Sequence, residues 1–383
     1  MVCLLAGLVG CGGGPAPDTA RADVQRTLDR RADAVLARDQ ARYRATGSAD
    51  AAALTNLADV PLTSWTYRLT RLERSGTHAT AGAELRYRIS GYDRAPVVSG
   101  RSLKLELREG HWYVTSDRPA PKTGEQLWEQ GRVVVARGAH SLVLGVGRPR
   151  AALGDYADLA DEAVPAVRDA WGTGWAQRVV VLVPRSLDGM GALLGAPAAG
   201  YRGIAAVTTG EAGAVGRTPA DRIIVNPDAY GVLGSFGKQV VLTHETTHVA
   251  TRAATSEATP LWLSEGYADW VGYRGTGRSA VQAAPELERA VRIGRLPGAL
   301  PANEDFGFSG DAGRLAQAYE GGWLACRMIA DRWGEAKLNA FYRAVGEHAQ
   351  RAGAVGTALE SVLGTTEEKF TADWREYLRA QLG

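Results

Sequence analysis

Two short stretches between Lys238 and Val271 constrain this chain more than any other part of it. They are His244-Glu245-Thr246-Thr247-His248 and Trp262-Leu263-Ser264-Glu265-Gly266-Tyr267-Ala268-Asp269. Read as a helix, the first places His244 and His248 on one face, because helical residues four apart lie one above the other. Two imidazoles so placed can hold one zinc ion, and Glu245 then lies near a water on that metal. No thiolate is in the set, so other divalent ions are able to substitute for zinc in vitro. Two histidines leave the site one ligand short, since a catalytic zinc usually takes three protein ligands and keeps an open position.

Glu265 is the best candidate for the third ligand. The spacing predicts a second helix just before it, with Thr259 as cap, Pro260 at the first helical position and apolar residues following. Sixteen residues separate His248 from Glu265, which is room for the first helix to end and the second to return. Asp269 follows Glu265 by one turn and shares its face. A carboxylate there can accept a hydrogen bond from the far nitrogen of a ligand histidine and fix its tautomer.

These residues resemble the gluzincin branch of zinc metallopeptidases, in which the two histidines of HExxH and a downstream glutamate hold the metal. The run Trp262 to Trp270, WLSEGYADW, is similar to the WLNEGFA stretch of M1-type peptidases. Tyr319-Glu320-Gly321-Gly322 is similar to their YEKG stretch, and the resemblance implies that Tyr319 stabilises the oxyanion. It also implies peptide hydrolysis, with Glu245 as general base and a zinc-bound water as nucleophile. The acid one turn past the ligand glutamate resembles that of thermolysin-like members, where it orients the first zinc histidine. The aminopeptidase GxMEN signature is missing upstream. In layout the resemblance covers roughly residues 125–383, and it is specific at the three motifs. The competing expectation is a non-catalytic envelope lipoprotein with a closed, structural zinc site, in which a ligand-binding, NTF2-like N-terminal cone does the work.

Residues 1–10 are almost entirely apolar, with no Lys or Arg before or within the run. Leu8-Val9-Gly10-Cys11 fits a bacterial lipobox, which predicts that Cys11 becomes the lipidated first residue of the mature protein. The expected location is the outer face of the cytoplasmic membrane, held by that anchor. No other stretch approaches the ~20 consecutive apolar residues of a membrane span. Of the three cysteines, Cys3 leaves with the signal and Cys11 carries lipid. Cys326 is then left without a disulfide partner, in an apolar helical pattern with Trp323, Leu324 and Ile329. The net charge is +2 with arginines scattered along the chain, which gives nucleic acid binding no support.

The fold class read from the pattern is α+β. Residues 1–18 form the signal and a Gly/Pro spacer. Residues 19–118 read as one unit. A helical stripe of Val24, Leu28, Val35 and Leu36 is followed, after Pro61, by period-two alternation through Trp65, Tyr67, Leu69, then Ala81 to Ile89, then Leu103, Leu105, Leu107, Trp112 and Val114. A helix followed by an antiparallel meander resembles an NTF2-like cone, which implies a concave face able to hold a ligand. His78 and His111 read as exposed turn residues.

Residues 125–383 follow a linker at 118–124. Short strands are expected at 133–135, 142–144, 179–183, 204–207 and 223–225, with a helix from 153 to 170 interrupted or kinked at Pro165. This pattern predicts a zincin-like mixed sheet with the active helix directly after it and a helical C-terminal region. Ile204 to Thr208 is the candidate edge strand that pairs with extended substrate in the resembling peptidases. Residues 189–200 read as a flexible loop. Thr365-Thr366-Glu367-Glu368 reads as a capping box for the last helix.

Overall fold

The structure is a computed structural model. It describes residues 19–50, 52–209, 219–307 and 311–383. The chain is divided between two compact units, one of residues 65–86, 100–120 and those before 52, the other of residues 52–64, 87–99 and 121–383. Overall it combines helices with one antiparallel sheet, one mixed sheet and a helical C-terminal region. No helix among the described residues is long and apolar enough to cross a membrane.

In the first unit a helix, Ala20–Leu36, buries Val24, Leu28, Ala32 and Val35. Leu36, expected on the same stripe, is instead 40% exposed at the helix end. Strands β1 (Leu62–Ser75), β2 (His78–Ile89), β3 (Val97–Arg108) and β4 (His111–Pro119) form a meander in sequence order. The inward residues are those the alternation picks out, with Trp65, Tyr67, Leu69, Leu85, Leu103, Leu105, Trp112 and Val114 all buried. Gly110 takes the left-handed φ of +79° that the β3–β4 turn needs. His78 and His111 are exposed first residues of strands. The interior also holds a polar network. The buried Arg101 guanidinium donates to Asp117 at 2.7 Å, and the Tyr67 hydroxyl donates to the same carboxylate at 3.1 Å.

In the second unit β5 (Val133–Arg137), β6 (Ser141–Val146), β7 (Val179–Val183), β8 (Ala206–Thr209) and β9 (Arg222–Val225) form a sheet in the order β5-β6-β7-β9-β8. Pairing is antiparallel between β5 and β6, parallel along β6, β7 and β9, and antiparallel between β9 and β8. Strand β8 is therefore an edge. It begins two residues later than the sequence pattern suggests, because Ala206 is the first residue in register, opposite Val225.

The first long helix of this unit, Arg150–Trp171, runs unbroken through Pro165. The missing amide costs one helical bond. Burial of Leu153, Ala157, Ala160, Val164 and Val167, with Asp161 holding the amides of Ala139 and His140, keeps the helix in place. Residues 189–200 are not a loop throughout. Ser186 caps a helix, Leu187–Leu194, by accepting from the Gly189 amide, and a short 3-10 turn follows at Ala198–Tyr201. The C-terminal helices Ala312–Trp333, Glu335–Gly346 and Glu367–Leu382 close around a core that includes Trp323, Cys326, Ile329, Phe341, Phe370, Trp374 and Leu378. Cys326 is fully buried there. The last helix is capped by Thr366 on the Lys369 amide, a single cap in place of the reciprocal box.

Candidate active site

The site is built from three helices and the edge strand. The histidine helix, Ser235–Thr251, packs on the helix Arg150–Trp171, on β8 and on the glutamate helix, Leu261–Tyr273. Being enclosed on several sides, it buries Val240, Leu242, Thr243, Glu245, Thr246, Thr247 and Ala250. The glutamate helix starts at Leu261, so Pro260 stands at the cap position and not at the first helical one, and Thr259 is not the cap. The Thr259 hydroxyl instead accepts from the Ser256 amide, and the Leu261 amide is met by the Asn303 side chain at 2.9 Å. A residue 42 positions downstream thus does the capping.

Glycines set how closely these helices approach. A Cβ on Gly266 would lie 2.3 Å from the backbone of Gly322, and one on Gly322 would lie 2.6 Å from the carbonyl oxygen of Trp262. The glutamate helix and the tyrosine helix, Ala312–Trp333, therefore cross backbone against backbone. Glu265 sits beside one crossing glycine and Tyr319 one turn before the other, so the crossing brings both to the same place. On the opposite side, a Cβ on Gly272 would come within 3.2 Å of the Val240 carbonyl oxygen, which fixes the spacing to the histidine helix.

His244, His248 and Glu265 each point one ligand atom inward, all within 4.8 Å of one another. His244 Nε2 lies 3.0 Å from His248 Nε2 and 3.2 Å from Glu265 Oε2, and His248 Nε2 lies 3.4 Å from the same oxygen. Asp269 Oδ1 lies 2.8 Å from His244 Nδ1, on the far side of that ring. Burial disfavours a charged His244, yet Asp269 and Glu265 outweigh it and hold its pKa well above the ordinary value. Burial also works against the Glu265 charge, and His248 and His244 reverse this, holding its carboxyl well below the usual range. The group calls for positive charge at its centre. Two nitrogens and one carboxylate oxygen converging on one point, with a carboxylate behind one imidazole, fit a zinc ion.

Glu245 is buried beside this group. Its Oε2 accepts a 2.6 Å hydrogen bond from the Thr208 hydroxyl on β8, which also lies 3.1 Å from the Glu245 carbonyl oxygen. A hydroxyl has one proton, and the shorter contact, to the carboxylate, is the stronger acceptor. Tyr319 places its ring 6.4 Å from that of His244 and edge-on to Phe306 at 5.1 Å. Burial, followed by Glu265, Asp269 and Glu245, pushes the phenol well above its ordinary pKa, so it keeps its proton. The sequence reading therefore names six residues around one point, and the structure brings all six there. Cys11 lies outside the described residues.

Sequence reasoning missed Thr208, Asn303 and the glycine crossing. The last was readable as the paired glycines of Ser264-Glu265-Gly266 and Glu320-Gly321-Gly322. Thr208 and Asn303 carry no local signal, since their partners are distant in sequence.

No family model and no curated protein matches the chain. Among solved structures, yeast LTA4 hydrolase is 12% identical with a TM-score of 0.40, over 85% of this chain and 45% of that one. An M1 zinc metallopeptidase from Deinococcus radiodurans is 15% identical with a TM-score of 0.35, over 84% of this chain and 61% of that one. An NTF2 variant is 16% identical with a TM-score of 0.22, over 27% of this chain and 97% of that one. The chain thus spans less than half the length of the yeast enzyme and less than two thirds of the bacterial one.

Proposed function

We propose that the chain is a zinc-dependent peptidase of gluzincin type, acting at the outer face of the cell envelope through a lipid anchor at Cys11, with an NTF2-like domain ahead of a zincin-like catalytic domain. The observation that carries the reading is the convergence of His244, His248 and Glu265 with the carboxylate of Glu245 alongside. Among the described residues the group offers three ligands, the number a reactive site uses, where a structural zinc site takes four.

His244, His248 and Glu265 would hold the ion, and Asp269 would fix the His244 tautomer so that Nε2 presents its lone pair. Zinc in such a site supplies Lewis acidity, lowering the pKa of a water to near 7 and polarising a carbonyl. Glu245 acts as general base, taking a proton from the attacking water and passing it to the leaving amine. Thr208 orients that carboxylate by donating to Oε2. The protonated Tyr319 donates to the substrate oxygen as negative charge builds on it. Edge strand β8 offers backbone groups to an extended peptide.

The deciding experiment is metal analysis of the purified chain together with cleavage of a peptide library, wild type beside Glu245→Gln. About one zinc per chain and cleavage lost in Glu245→Gln are expected. A wild type without stoichiometric metal, or equal cleavage by both proteins, overturns the reading.

A further inference from the structure

The space around the candidate zinc group is not uniform. On one side of it opens a cavity of about 630 Å³. Its wall is mainly apolar, formed by Ile204, Val240, Tyr273, Leu315, Ala316 and Trp323. The tyrosine helix supplies much of that wall because Leu315, Ala316, Tyr319 and Trp323 recur at intervals of three or four and so share a face. On the other side lies a second cavity of about 420 Å³ with a mixed lining, in which Arg252, Ser256, Glu257 and Arg351 stand beside Ile204, Val207 and Leu261. His244, Glu245 and Tyr319 line both cavities. A carbonyl presented to Glu245 thus has a mainly apolar chamber on one side and a mixed, more polar cavity on the other.

We propose that the apolar chamber selects the substrate by taking a bulky apolar side chain, the size of leucine, methionine or phenylalanine, from the residue next to the bond that is cut. This rests on the peptidase reading above. The volume falls within the range of small-molecule sites, roughly 300–1,000 Å³, so an aromatic side chain has room. Charge decides against the alternatives. Three carboxylates, Glu245, Asp269 and Glu320, line the chamber against one guanidinium, the exposed Arg202, and this excess of negative charge disfavours an acidic side chain. Asp269 and Glu320 are both already hydrogen-bonded within the fold. Glu320 uses both oxygens to accept the amides of Glu286 at 3.2 Å and Leu287 at 2.5 Å, and Asp269 is engaged by His244 Nδ1. Burying a lysine against the mainly apolar wall would strip its ammonium of water, which is costly. An apolar side chain needs none, and it gains the area it removes from water.

The test is cleavage profiling of the full zinc-loaded chain on quenched peptides that differ at the two positions flanking the scissile bond. At one of those positions Leu or Phe should exceed Gly, Asp and Lys by roughly 100-fold in kcat/KM, the scale of discrimination by an apolar pocket. Ala316→Trp, which fills the chamber from a half-buried position, should lower the Phe-to-Gly ratio at least tenfold. Leu315→Ala, which enlarges it, should shift the preference towards Trp. A charged residue preferred at both positions, or both variants keeping the wild-type ratio, overturns the proposal. A separate titration measures binding of acetylated Phe and Gly peptide amides to zinc-loaded Glu245→Gln by calorimetry. If the wild type cuts nothing yet the Phe peptide binds at least tenfold tighter, the chamber stands and the peptidase reading falls. Equal binding of the two peptides removes the chamber, whether or not the wild type cleaves.

Discussion

Glu245, buried, and Glu265, half-buried, are carboxylates beside the same two imidazoles, and their geometry gives them separable roles. Glu265 Oε2 faces His244 and His248 at 3.2 and 3.4 Å, whereas Glu245 Oε2 is bonded to Thr208. Glu245→Gln should therefore keep zinc and lose roughly 100–10,000-fold in turnover, the usual worth of a positioned base. Glu265→Ala should lose the metal itself. Asp269→Ala should weaken zinc binding or activity by roughly 10–100-fold, because it leaves His244 Nδ1 without its orienting partner. Tyr319→Phe should retain zinc and lose about 100–1000-fold in kcat, as when one oxyanion donor is removed. Zinc content and turnover, measured side by side for the four proteins on one peptide, check each assignment. If Tyr319→Phe alone is silent, another donor holds the oxyanion. At this scale much was legible in the sequence, because HExxH and the glutamate and aspartate one turn apart owe their geometry to helical periodicity. Thr208 was not, since nothing in a strand sequence says which distant carboxylate its hydroxyl will meet.

At the scale of elements, the crossing of the glutamate and tyrosine helices makes the strongest demand. A methyl group at Gly266 would meet the Gly322 backbone at 2.3 Å, so the helices must part. Gly266→Ala should cost about 1–3 kcal/mol, the usual cost of overpacking, and should lower turnover by moving Tyr319 away from the site. Gly154, inside the helix Arg150–Trp171 with nothing within 4 Å of its would-be Cβ, is the control. Gly154→Ala should stabilise by roughly 0.5–1 kcal/mol through helix propensity alone. Denaturant unfolding separates the two, and equal effects would remove the close crossing as the cause. Element types were mostly readable from period, but ends were less so. Thr259 and the Thr365 box satisfy the local pattern for caps, while the glutamate helix takes its cap from Asn303 and the last helix from Thr366 alone. Capping is a hydrogen-bond requirement, and any donor or acceptor that the fold brings near can meet it.

Glu320 links this scale to stability. It holds the first amides of the helix Pro285–Arg292, and its pKa rises to about 7 from the usual 4.5. Burial is the main cause; the Leu287 and Glu286 amides oppose it, and the Glu286 and Asp269 carboxylates add to it. The folded chain therefore binds more protons than the unfolded chain between those two values. Stability from this group is fully present below about 4.5, is lost as pH rises to about 7, and is level above that. Glu320→Gln should fall less in unfolding temperature between pH 5 and pH 8 than the wild type does. Parallel curves for the two proteins would show that the group does not titrate in this window.

For the whole molecule, zinc and lipid should each leave a measurable mark. A metal held only by the folded chain adds stability, about 4 kcal/mol when free zinc is 1,000-fold above Kd. A chelator should therefore lower the midpoint of thermal unfolding, and an unchanged midpoint would count against the site. Intact-mass analysis of native protein should find a mature chain starting at lipidated Cys11, and a soluble form starting at Met1 would sink the anchor. The division of the described residues was only partly legible. Helix and meander can be read from alternation, but residues 87–99 contact the later part of the chain, where Asp93 pairs with Arg222 at 2.9 Å. Such long-range pairing leaves no trace in local periodicity.

The hydrogen bond from Thr208 to Glu245 has a thermodynamic corollary. Among the described residues strand β8 is paired on one side only, and this bond ties it to the histidine helix. Coupling between two events is reciprocal. A peptide that orders β8 by lying along it should also restrict the Glu245 carboxylate, and whatever restricts that carboxylate should order the strand. Glu245→Ala, which deletes the acceptor, should then raise hydrogen exchange at the amides of Val207 to Thr209 while leaving β6 and β7 as protected as before. Readiness of the base and occupancy of the groove would be two readings of one equilibrium.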